Sequence, residues 1–390
     1  MKKTLIVLGM VLCSTTVAVA STITGVTAQQ RYPWNGKVDI SYTVTGDIAV
    51  EAKQAGGFAW LKVSAVDLDA NETYIATQQF GDAALAAGRH TITWDMEAEG
   101  LTFKSTNVVF KVAGEVKPAT YCVVDLSGGS SASSYPITLL TEPPSGGFNV
   151  DAYKTTKLVL RRIEAGSYKM GGSYDVTLTK AFFCGIFEVT QKQYTQVMGS
   201  NPSSNKGDKR PVEMVSYDMI RGSTNGAKWP ASSAVDSSSF MGKLRAKTGM
   251  DFDLPTAAQW EYACRASTTT SYNNGGNTEN DLKKLGRYSG NVSDGKGGYS
   301  SGHTVVGSYT ANSWALYDMH GNAWEWCLDW SGTNEHGVDP KGPTSGSRRI
   351  SYGGSWVSDS SACTSSSTVA DTPTTVHAKH GFRIVRTLQY

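Results

Sequence analysis

The pattern of apolar residues changes character partway along the chain, and that change decides what it can fold into. From about Ile23 to Glu115 the period is two. Val38-Asp39-Ile40-Ser41-Tyr42-Thr43-Val44 alternates, as do Leu61-Lys62-Val63-Ser64-Ala65-Val66 and Thr91-Ile92-Thr93-Trp94, and Asn107-Val108-Val109-Phe110-Lys111-Val112 closes the series. A strand places successive side chains on opposite faces, so each segment can bury one face and wet the other. Several short strands with turns between them predict an all-β sandwich over residues 21–115. It carries no catalytic constellation, and a spacer or docking role is the expectation. Beyond Ser267 periodicity is nearly lost, and glycine, serine, asparagine and tryptophan dominate. Such irregular backbone must still satisfy its hydrogen bonds, which calls for aromatic packing and bound ions as ties.

Between these regimes, residues 116–154 read as a linker, because Ser127–Ser134 and Pro143-Pro144-Ser145-Gly146-Gly147 are rich in turn formers. Residues 155–390 form the second predicted domain. Two helices are legible in it. One starts at the N-cap Thr190, with Tyr194, Val197 and Met198 at helical spacing. The other starts at Thr256, where Thr256 and Gln259 match a capping box and Trp260, Ala263 and Cys264 then share a face. Cys264 on that face reads as a small buried residue.

The first twenty residues carry Met1-Lys2-Lys3, an apolar run from Leu5 to Cys13, and Val17-Ala18-Val19-Ala20. This predicts a signal peptide over 1–20 and a secreted, periplasmic or cell-surface protein. Leu12 before Cys13 argues against a lipid anchor. No segment is apolar enough to span a membrane. A formal net charge of +2 gives no basic excess, so nucleic acid is not an expected partner. Five cysteines remain after Cys13, widely spaced and odd in number, which excludes a disulfide-dense framework. His377 and His380 stand three apart without a third ligand nearby in sequence, so a structural zinc is not expected. Gly290–Gly297 nearly spells a phosphate loop but ends in glycine and lacks a preceding apolar strand.

Seven segments in order carry a resemblance. They are Met170-Gly171-Gly172, Phe187-Glu188-Val189-Thr190, Arg210–Ser216, Leu254-Pro255-Thr256 running into Trp260-Glu261-Tyr262, Leu316–Trp326, Gly353-Gly354-Ser355-Trp356 and Gly381-Phe382-Arg383. Across residues 155–387 the chain resembles the formylglycine-generating enzyme (sulfatase-modifying factor) family. The fold implied is α+β and loop-rich, related to the C-type lectin fold. Family enzymes oxidise a substrate cysteine with O₂ on a copper(I) ion held by two cysteines. The resemblance places those cysteines at Ser358 and Cys363, with Ser355 and Trp324 lining the oxygen pocket. A hydroxyl is a hard, poor ligand for copper(I). Copper is therefore not expected, and catalysis through Cys363 is the weaker of two readings.

The stronger reading follows a second resemblance, to variable proteins of diversity-generating retroelements, which display a hypervariable patch before a Gly-Phe-Arg ending on the same fold. Between Trp356 and Gly381 only Lys379 lies outside the residue set that adenine replacement in asparagine-type codons can reach. Small polar residues on a rigid scaffold also suit adaptable recognition. The expected ligand-contacting residues are Trp356, Val357, Ser358, Asp359, Ala362, Val369, Ala370, Asp371, Thr375, His377, Ala378 and His380, and the expected partner is a protein or glycan. The resemblance also implies calcium in the turn from Asp318 to Glu325, through Asp318, Gly321, Ala323 and Glu325, with a second position around Asn291 and Val292.

Overall fold

The computed structural model describes residues 21–31, 36–104, 106–292, 302–333 and 336–388. The signal peptide expected over 1–20 and residues 293–297 of the phosphate-loop look-alike lie outside them. The chain divides into two compact units, with the break between Ala119 and Thr120.

In the first unit the alternating segments become strands. Thr22–Gln30, Lys37–Thr45 and Gly88–Asp95 form one antiparallel sheet, and Glu72–Ile75, Gly57–Asp67 and Val108–Pro118 form another. Val38, Ile40, Tyr42 and Val44 face inward from the first, while Leu61, Val63, Ala65, Phe110 and Val112 face inward from the second. Each such side chain contributes roughly 1.5–3 kcal/mol when fully buried. Trp94 and Phe110 meet edge to face with centroids 6.4 Å apart. The helix Ile48–Gln54, capped by the Asp47 side chain on Val50 N, had no periodic signature because it spans only two turns.

The second unit is mostly β, with helices set around three sheets. The largest sheet orders Val385–Thr387, Phe182–Gly185, Lys157–Ile163, Tyr121–Asp125 and Ile137–Leu140. Its last two strands correct the linker reading of 116–154. Tyr121–Val124 is wholly buried, so it shows no alternation, and the Ser/Gly-rich stretch is a loop within the unit. Tyr135 Oη ties that loop by donating to Gly129 O and Gln196 O at 3.0 and 2.9 Å. Both legible helices form as read. Gln191–Met198 and Ala257–Arg265 each begin with a reciprocal capping box, Thr190 with Gln193 and Thr256 with Gln259.

The sheet that carries the candidate site orders Thr368–Asp371, Arg349–Tyr352, Trp324–Trp330 and His380–Gly381, the last pair parallel. Trp324–Leu328 is buried throughout and gives the unit its aromatic centre. No helix among the described residues is long and apolar enough to cross a membrane.

Candidate functional site

The turn entering Trp324–Trp330 is built from residues in left-handed backbone conformations: Asp318 at φ 57°, Gly321 at 81° and Asn322 at 66°. Gly321 is required, because a Cβ there would sit 2.1 Å from Arg287 O. Glu188 clamps the turn from the side, accepting from Ala323 N at 3.0 Å and Asn322 Nδ2 at 2.5 Å. Burial, reinforced by Asp318 and Glu325, pushes the Glu188 carboxyl well above its ordinary range. Burial likewise raises Asp318 to about 6. Gly307 N donates to Asp318 Oδ2 at 2.6 Å, while Oδ1 has no protein partner.

Glu325 accepts from three protein donors. Arg383 Nη2 donates to its Oε1 at 2.8 Å and Arg383 Nε to its Oε2 at 3.0 Å, and Trp260 Nε1 adds a 2.6 Å bond to Oε2. The guanidinium also reaches Gly185 O and Tyr317 O. Burial opposes the Arg383 charge, but Glu325 outweighs it and raises the proton affinity further. Arg383 thus engages Glu325, whereas Asp318 Oδ1 is buried without a protein partner. At the second position Arg287 Nη1 and Nη2 donate to the Asn291 and Val292 carbonyls at 2.7 and 3.3 Å.

At the implied copper position, Ser355 N donates to Ser358 Oγ at 3.0 Å and the two hydroxyls lie 2.9 Å apart. Cys363 is fully buried against Gly354, where an added Cβ would come within 2.4 Å of its Sγ. Burial, partly offset by the Ser355 amide, pushes the thiol up to about 12, so it is protonated. Two hydroxyls and one neutral thiol do not fit copper(I). Trp324 lies buried on the adjacent strand, its N donating to Lys379 O at 2.8 Å. His320 fastens the Cys363 segment to the turn. Its Nε2 accepts from Asn273 N at 3.1 Å, so Nδ1 carries the proton and donates to Cys363 O at 2.7 Å.

Most of the expected ligand residues are at least partly accessible to solvent. Val357 is 47% exposed, Asp359 and His377 are exposed, and Trp356, Ser358, Ala362, Val369, Ala370, Asp371, Thr375 and Ala378 are half-buried. Val369, Ala370 and Asp371 ride the edge strand Thr368–Asp371. Asp359 caps the turn Ser360–Cys363 through Ala362 N. Trp356 Nε1 donates to Ala378 O at 3.4 Å. Backbone bonds from Met214 N to His377 O and from Asp218 N to Pro373 O, both 3.1 Å, hold the 372–378 loop. His380 corrects the list. It is fully buried, edge-on to Trp326 at 5.1 Å, because the parallel pairing with Trp324 draws it inside. Val376, 44% exposed, was missed, although an apolar residue among threonines was a readable signal.

The profile of the sulfatase-modifying factor enzyme 1-like domain matches residues 150–388. The chain belongs to that family. It is 31% identical over 228 residues to chaperone protein LppX of Paenibacillus barcinonensis, covering 50% of this chain and 78% of that one. To the formylglycine-generating enzyme of Thermomonospora curvata it is 33% identical over 148 residues, 33% of this chain and 48% of the enzyme. It thus spans about half the length of that enzyme. The solved structure of Treponema denticola variable protein 1 matches with a TM-score of 0.50 at 26% identity, over 59% of this chain and 95% of that one. The second unit therefore has the C-type-lectin-like fold of the sulfatase-modifying factor family and of that variable protein.

Proposed function

We propose that this sulfatase-modifying factor family member is an exported, non-catalytic binding protein that displays a ligand surface over residues 356–378. The observation that carries the reading is the Ser355–Ser358 hydroxyl pair standing where the resemblance places a metal thiolate, with Cys363 left alone, buried and protonated. One neutral thiol cannot hold copper(I) against solvent, and it presents no nucleophile to a substrate. Further support comes from two large apolar side chains left exposed in this segment, Val357 and Val376. The fold shared with Treponema denticola variable protein 1 supports a diversified surface, and a protein or glycan is the proposed ligand class.

The rival is a copper-dependent oxidase that converts a sulfatase cysteine to formylglycine, favoured by the similarity to the Thermomonospora enzyme. The two separate on a Cys-x-Pro-x-Arg peptide incubated with copper(I) and O₂. We expect no aldehyde product by mass spectrometry. Thiol-dependent turnover, abolished in Cys363→Ala, would overturn the non-catalytic reading. The surface itself is tested by Val357→Asp and Val376→Asp in a glycan and exported-protein panel. Retention equal to the wild-type chain would refute its location.

A further inference from the structure

We propose that Asn71, in a hairpin turn of the first unit, is an acceptor for an N-linked glycan. Two asparagines in the chain stand two positions before a serine or threonine with no proline between, in Asn71-Glu72-Thr73 and Asn291-Val292-Ser293. Asn201-Pro202-Ser203 is barred by its proline. A glycan transferase reads this pattern: the asparagine amide nitrogen reacts, and the hydroxyl two residues on is a second handle. The fold separates the two candidates.

Asn71 closes the turn between Gly57–Asp67 and Glu72–Ile75 at φ 53°, a left-handed conformation that asparagine tolerates better than most residues. It is exposed, and its carboxamide has no hydrogen-bond partner among the described residues. Thr73 is exposed as well, on the strand that forms one edge of its sheet. Asn291 is different. Its Nδ2 donates to Gly286 O at 2.9 Å, and its Oδ1 accepts from Tyr288 N at 2.9 Å. Both bonds would have to break before that amide could enter a transferase.

A second observation gives the modification a physical role. Leu68 and Ile75, on either side of Asn71 along the hairpin, are 53% and 52% exposed. Ile75 lies on the sheet edge itself, and apolar side chains along a free strand edge invite pairing with another chain. A bulky, hydrated glycan rooted at the turn shields both. In the transfer, Asn71 Nδ2 attacks C1 of a sugar joined through that carbon to a lipid pyrophosphate. The Nδ2–C1 bond forms as the C1–O bond breaks. The lipid pyrophosphate leaves with the electron pair, and the amide proton passes to a carboxylate of the transferase.

The test incubates the purified, folded full chain with a single-subunit oligosaccharyltransferase and its lipid-pyrophosphate-linked glycan, followed by trypsin and mass spectrometry. Cleavage at Lys62, Arg89, Arg287 and Lys296 places the two asparagines in separate peptides, 63–89 and 288–296. The expected result is glycan mass on the first peptide and none on the second. Asn71→Asp suits the same backbone conformation and Thr73→Val suits the strand, and both should lose the glycan. Thr73→Ser should keep it. Circular dichroism checks that the variants are folded, and if Thr73→Val is not, Asn71→Asp decides. The glycosylated chain should also aggregate more slowly than Asn71→Asp in light scattering. An unmodified 63–89 peptide, a glycan on Asn291 in its place, or unchanged modification of Asn71→Asp would overturn the assignment. Equal aggregation would overturn the shielding role. Because transferase and donor are supplied directly, the result is independent of export and of the proposed ligand surface.

Discussion

Replacing Arg383 with methionine probes the centre of the second unit. Arg383 is fully buried and donates to both Glu325 oxygens, to Gly185 O and to Tyr317 O. Methionine fills much of the volume but supplies no donor. Removing one partner of a buried ion pair costs about 3–5 kcal/mol. Each carbonyl left without a donor adds about 1–3 kcal/mol where water cannot reach it. Rearrangement and protonation of Glu325 recover part of this, so a net loss of about 5 kcal/mol is expected, a large share of the usual 5–15 kcal/mol. Urea unfolding followed by tryptophan fluorescence measures it. The double variant Arg383→Met/Glu325→Gln should regain stability over Arg383→Met, because the stranded charge is gone. Acidification should also recover part of the single variant's loss by protonating Glu325. A loss below about 1 kcal/mol, or no recovery in the double variant, would refute the view that this pair organises the turn.

Further outcomes test neighbouring features. Asp318, raised to about 6 by burial, holds its proton more tightly folded than unfolded, where about 3.9 applies. Its contribution is thus full below pH ~4 and is lost as pH rises to about 6, costing about 3 kcal/mol at neutrality. Asp318→Asn should raise stability at pH 7 and flatten the slope between pH 4 and 6 in urea titrations; no gain at pH 7 would contradict this. Thr256→Ala should cost about 1 kcal/mol through loss of the capping box, read by chemical denaturation. Cys122, Cys184, Cys264, Cys327 and Cys363 are all buried, so an aromatic disulfide reagent should label them only on unfolding.

What could be read from sequence was what neighbours along the chain decide. The alternation at Val38–Val44, the N-cap at Thr190 and the capping box at Thr256 need only short spans, and they were legible. Tyr121–Val124 was not, because a strand buried on both faces loses the alternation that marks strands. The fate of Glu325 depends on Arg383, 58 positions away, and on Trp260, 65 positions away in the other direction. No local pattern encodes those meetings. His380 misled for the same reason, since its parallel pairing with Trp324 joins segments far apart in sequence. The 3.6 Å approach of Asp371 to His380 was likewise hidden, as the eight intervening positions form a loop whose return path only the tertiary fold sets.

The 372–378 loop is held at its base by carbonyls of Pro373 and His377 that receive amides from Asp218 and Met214. These are peptide groups, which every amino acid supplies alike. The anchorage is therefore indifferent to which side chains the loop carries. Mutations at Thr374, Thr375, Val376 or His377 can redraw the chemistry of the surface without drawing on the stability of the fold beneath. The side chains of this loop can drift quickly while the architecture stands still.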